Sequence, residues 1–155
     1  WFLDTKQTAC RAAGIIAVTD AMIEVFGADF DGIDAIGGLT RGGDPVAYGV
    51  QAVAATRGHT LRSFSVRKEA KQGGIIGRIA GALQPGDRVL VTEDTTTRGT
   101  SLIEAADQIA AFGAIPVFMT VIVDRGGTCA AMAAGKDIDY RPLLTAPDLG
   151  FGFGT

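Results

Sequence analysis

A chain of 155 residues, 47 % hydrophobic and 20 % charged, fits a single domain with a substantial core, and one domain over residues 1–155 is expected. Its formal net charge of −3 excludes the overall positive field on which non-specific nucleic-acid binding depends, so any anion site must be local. The longest apolar run, Ala114–Val123, is far short of the roughly 18 residues a membrane span needs, and no charged leader with a cleavage site opens the sequence; a cytosolic protein without a membrane partner is expected.

Trp1–Thr5 reads as a strand entered abruptly, which suggests that a preceding segment is missing. Thr8–Phe26 carries Ala, Ile, Val and Met at helical spacing, and Gly27 stops it. Ile33–Ile36 is a short apolar strand leading into the glycine loop Gly37–Gly43. Asp44-Pro45 then offers an N-cap and a first-turn proline for a helix to Thr56. His59, the only histidine, falls in the connection before a strand over Leu61–Val66, where it reads as a loop residue. Arg67–Gly77 is charged, then glycine-rich, and reads as a mobile loop.

The run Val89–Ser101 is a strand, a polar loop and a helix start; Leu102–Phe112 continues the helix and Gly113 ends it. Ile115–Val123 is a buried strand, Asp124-Arg125-Gly126-Gly127 turns into a short helix reaching Ala134, and Ile138–Leu144 is the last strand. The glycine-rich end from Gly150 is expected to fray. Cys10 and Cys129 could pair, yet neither belongs to a C-x-x-C or Cys/His cluster, and two buried free thiols are the better reading. Alternating strands and helices at this spacing predict an α/β fold, doubly wound, with a mostly parallel sheet and helices on both faces.

In such a sheet, ligands bind beyond the carboxyl ends of the strands, and the exposed amides of a helix start form an anion site. The loop Thr95, Thr96, Thr97, Arg98, Gly99, Thr100 and Ser101 can therefore grip a phosphate while Glu93 and Asp94 accept hydrogen bonds from sugar hydroxyls. A sugar phosphate is the natural ligand. Taken alone, the acid pair would also suit a solvated turn before a helix, Arg67–Lys71 a solvated charge run, and Asp124-Arg125 a surface ion pair.

V-L-V-T-E-D-T-T-T-R-G-T-S over Val89–Ser101 resembles the phosphoribosyl-pyrophosphate signature of type I phosphoribosyltransferases. Arg67-Lys68-Glu69-Ala70-Lys71 followed by glycines resembles the catalytic loop of orotate phosphoribosyltransferases. Trp1-Phe2-Leu3-Asp4-Thr5 is similar to that family's aromatic strand near the base, and the Gly37–Gly43 loop and Asp124-Arg125 match it further. The resemblance implies transfer of a 5-phosphoribosyl group from phosphoribosyl pyrophosphate to orotate, giving orotidine 5′-phosphate. The alternatives are another base, or a sensor that kept the binding loop and lost turnover.

The resemblance further implies catalytic roles for Arg67, Lys68, Lys71 and Asp94. It places Arg41 at the pyrophosphate and Arg125 and Phe2 at the base, and it implies a homodimer in which the Arg67–Gly77 loop acts in trans. Mg2+ is expected to be held mainly by substrate oxygens and water, which it prefers to an all-protein cage. Two positions depart from the family pattern: Gly73 stands where a histidine is usual, and Arg98 where a small residue is usual.

Overall fold

The computed structural model describes residues 1–71 and 77–154. The elements run α1 (Lys6–Ala9), α2 (Ala12–Phe26), a 3-10 turn (Gly27–Gly32), β1 (Ala35–Leu39), α3 (Gly43–Ala55), β2 (Arg62–Lys71), β3 (Gly77–Gly81), β4 (Arg88–Thr96), α4 (Thr100–Phe112), β5 (Ile115–Asp124), α5 (Cys129–Ala134), β6 (Asp139–Tyr140), β7 (Leu144–Thr145) and a 3-10 turn (Ala146–Leu149).

One sheet takes the order β3-β2-β1-β4-β5-β6, with β7 also on β5. Every pairing is parallel except β2 with β3. The expected doubly wound, mostly parallel architecture is therefore present. Alternate residues of the central strands face opposite layers. Val89, Val91, Met119 and Val121 pack with Leu102, Ala105 and Ile109 of α4 and with α5. Ile36, Leu90, Phe118 and Ile122 pack with Met22 and Phe26 of α2 and Val46 and Val50 of α3. Strand order reverses between β1 and β4, the switch point at which such sheets open a crevice beyond their carboxyl ends. Among the described residues, no helix is long and apolar enough to cross a membrane.

Several expectations are corrected. Trp1–Thr5 forms no strand; the chain enters irregularly and α1 follows at once. The single helix over Thr8–Phe26 is two, because α2 folds back closely on α1: a Cβ at Gly14 would lie 2.0 Å from the Thr8 carbonyl oxygen. Cys10, at the end of α1, is exposed; only Cys129 is buried. Arg67–Lys71, read as loop, extends β2 and pairs with β3 across an irregularity, so backbone hydrogen bonding overrides the polar sequence. Residues 72–76, including Gly73, lie outside the described residues. The strand over Ile138–Leu144 divides into β6 and β7 around Pro142, which has no amide proton for the ladder.

Residues 151–154 are held rather than frayed. The Phe151 amide donates to the Ala146 carbonyl at 3.0 Å, the Gly154 amide donates to the Arg125 carbonyl at 2.9 Å, and Phe151 stacks on Trp1. His59 sits in its connecting turn with Nδ1 3.2 Å from Asp31, as its sequence context implies.

Candidate active site

The acid pair lies inside a strand, not in the loop after it. The β4–β5 ladder continues through Glu93↔Val121 to Thr96↔Asp124, and burial on both faces leaves Glu93 8 % and Asp94 4 % exposed. The glycine loop after β1 wraps directly over them. A Cβ on Gly42 would stand 1.4 Å from Glu93 Oε1, so any side chain there would have to displace the Glu93 carboxyl. Thr40 donates its hydroxyl to Asp44 at 2.6 Å, while the other Asp44 oxygen is buried without a hydrogen-bond partner. The helix expected from Asp44 begins at Gly43, and Asp44 lies in its first turn. Arg41 is exposed in this loop.

Lys6 of α1, which no sequence motif announced, pairs with Asp94 Oδ2 at 2.6 Å. That hydrogen bond raises the lysine above its ordinary range. Burial, reinforced by the neighbouring Asp94 charge, raises the Glu93 carboxyl from 4.5 to about 8. Glu93 therefore carries a proton at neutral pH in the ligand-free protein. Because its native pKa lies above its unfolded one, it contributes stability that is complete below pH 4.5 and is lost as pH rises through about 8. Unfolding free energy is accordingly expected to fall across that window, and Glu93→Gln is expected to flatten the fall when urea unfolding is followed from pH 5 to pH 8.

Past the pair, the chain forms an open cleft of about 380 Å3 lined by Thr95–Ser101. The loop is built from its own side chains. The Gly99 amide donates to Thr96 Oγ1 at 2.9 Å, the Thr95 hydroxyl donates to the Val123 carbonyl at 3.0 Å, and Gly99 enters α4 at φ 84°. No side chain caps the start of α4. Its first amides, which have no intrahelical acceptor, therefore face the cleft as anion donors. Arg98 and Thr100 are exposed, and Thr97 and Ser101 half-buried.

A second loop locks against this one. Asp124, 4 % exposed, accepts the Gly126 and Gly127 amides at 3.0 and 2.9 Å and the Tyr140 hydroxyl at 2.9 Å. The Arg125 amide donates to Thr96 O at 2.8 Å and the Thr128 hydroxyl to Thr97 O at 3.2 Å. Cys129 lies under Gly99, and burial pushes its thiol up to about 11, too high for a thiolate nucleophile at neutral pH. Arg125 reaches the Trp1 carbonyl, and its guanidinium sits 4.7 Å from the Trp1 ring centre. Phe2, the aromatic assigned to the base, is 85 % exposed; Trp1, not Phe2, is the ring beside Arg125.

The β1–β2 ladder ends at Leu39↔Val66, so Arg67, Lys68 and Lys71 project past the carboxyl edge on the same side as the acid pair. Arg78 of β3 donates to the Arg67 carbonyl at 2.6 Å and pairs with Glu104 of α4. Among the described residues, no three His, Cys, Asp or Glu side chains gather closely enough to hold a metal ion. Lys6, Thr128 and Tyr140 are site-building residues absent from the sequence reading, because each acts through a contact remote in sequence.

No protein-family model matches the chain. An orotate phosphoribosyltransferase of Streptomyces avermitilis is 44 % identical over 151 residues, covering 97 % of this chain and 82 % of that protein. The orotate phosphoribosyltransferase of Mycobacterium tuberculosis H37Rv, in a crystal structure with Fe(III) dicitrate, superposes with a TM-score of 0.87 at 33 % identity, over 97 % of this chain and 83 % of that one. Its crystal structure in complex with 5-phospho-α-D-ribosyl 1-diphosphate gives a TM-score of 0.83 at 31 % identity, over 97 % and 84 %. Sequence likeness over nearly the whole chain and a shared fold agree: the chain belongs to the orotate phosphoribosyltransferase family.

Proposed function

We propose that the chain transfers a 5-phosphoribosyl group from phosphoribosyl pyrophosphate to orotate, releasing pyrophosphate and orotidine 5′-phosphate. The observation that carries this reading is the buried acid pair at the carboxyl end of β4, at the switch point and directly before an uncapped helix start. In this reading the amides and hydroxyls of Thr95–Ser101 hold the 5′-phosphate. Asp94, kept in place by Lys6, accepts from a ribose hydroxyl, and its charge favours the positive ribose of an oxocarbenium-like transition state. Glu93, protonated in the free protein, can donate as well as accept. Arg67, Lys68, Lys71 and Arg41 neutralise the departing pyrophosphate, and Arg125 meets the base.

Magnesium, held mainly by substrate oxygens and water with the Asp94 carboxylate and the threonine hydroxyls at this edge as hard oxygen neighbours, would add positive charge where pyrophosphate leaves. Pyrophosphate release measured over a panel of free bases, with and without Mg2+, tests the reading. Turnover confined to orotate and dependent on Mg2+ is expected, and release with a purine instead would overturn the choice of base. The working form is a cytoplasmic homodimer whose Arg67–Gly77 segment serves the partner's site. Mixing Lys71→Ala with Asp94→Asn chains should then restore part of the activity, because one hybrid site receives both intact parts. Mixed dimers without recovered activity would exclude action in trans.

A further inference from the structure

Residues 151–154 close on Trp1 and on the loop that carries Arg125 through several specific contacts. Thr145 and Asp148 cap each other's turn at 2.7 and 2.8 Å, and Gly150, at φ 82°, then redirects the chain. Phe151 stacks on Trp1 at 4.7 Å between ring centres and 18° between planes. Phe153 covers Gly127 so closely that a Cβ there would lie 3.1 Å from its ring. The Gly154 amide donates to the Arg125 carbonyl at 2.9 Å. Arg125 is thus held from three directions: its carbonyl by Gly154, its guanidinium at the Trp1 ring and Trp1 carbonyl, and the glycine turn after it beneath Phe153. Its Nε is buried without a partner.

We infer that Phe151 and Phe153 are positioning residues that fix Trp1 and Arg125 as one wall of the base site. The inference rests on the proposed reaction, in which Arg125 meets the base. A planar, carboxylated ring suits this wall, which offers a flat aromatic edge beside a guanidinium whose orientation is already set. Stacking and cation–π contact restrict the indole and the guanidinium together, so less freedom remains to be lost when the base docks. Phe151 is itself half-exposed, so trimming it opens no core cavity.

Trp1 is the only tryptophan, so its emission reports the wall directly. Phe151→Ala and Phe151→Leu are expected to shift that emission to the red and to raise KM for orotate about fivefold. KM for phosphoribosyl pyrophosphate should stay within about twofold, because the phosphate loop is untouched. Phe151→Tyr, which keeps a ring, should restore both readouts. A parent that turns over orotate while the variants match it, or lose both substrates equally, overturns the wall and leaves the reaction standing. If the parent does not turn over orotate, the proposed reaction fails. Orotate titrated against Trp1 emission then decides the wall: a response in the parent that Phe151→Ala loses supports it, and no response in the parent overturns it.

Discussion

Asp94→Asn is expected to lower turnover at least about tenfold, near 1.4 kcal/mol of barrier, with the fold intact. Asparagine keeps the volume of a side chain that is 4 % exposed, so no cavity opens. What changes is charge. Asp94 is the partner of Lys6 at 2.6 Å. In the proposed reaction, the substitution removes the negative charge facing the ribose and leaves Lys6 uncompensated beside a developing cation, so both changes raise the barrier. Steady-state kinetics with a thermal unfolding control checks this. Unchanged turnover in a folded variant would remove Asp94 from the mechanism.

Gly126→Ala is the second large effect. A Cβ there would lie 1.6 Å from the Thr97 carbonyl oxygen and 2.5 Å from its carbon, and backbone cannot step aside as a side-chain tip can. The two loops must separate, which strains the Gly126 and Gly127 amides on Asp124 and the Thr128 hydroxyl on Thr97. Overpacking of this kind costs about 1–3 kcal/mol of stability. Because the displaced loop lines the cleft proposed to hold the 5′-phosphate, KM for phosphoribosyl pyrophosphate is expected to rise about tenfold, a change near 1.4 kcal/mol. Urea unfolding and steady-state kinetics read the two effects separately; a variant with normal stability and a normal KM would show that the loops are not coupled.

The alternation of apolar runs and turns was enough to read the winding of the sheet, because β1, β4 and β5 are buried runs bounded by glycine. The acid pair and phosphate loop were legible because their chemistry is contiguous in sequence. Arg67–Lys71 was not legible as strand: five mostly charged residues carry no β pattern, and their extension comes from pairing with β3, itself too short and too glycine-rich to announce itself. Lys6 was missed for a different reason, since its partner is 88 residues away. The held end after Gly150 likewise depends on Trp1 and Arg125, which no local pattern links to Phe151.

The reversal of winding between β1 and β4 divides responsibility within the cleft. The loop over the acid pair leads into α3, rooted in the packing that also holds α2; the phosphate loop leads into α4, rooted in the opposite layer. In the proposed reaction, each half of the substrate would thus be gripped by a loop with its own foundation. Drift in one layer can retune how that half is held while the other keeps its geometry, and the two meet along the β1–β4 seam, where the Thr92 carbonyl leaves no room for a side chain at Gly38. Small residues at that seam are what allow two independently adjustable halves to act on one molecule.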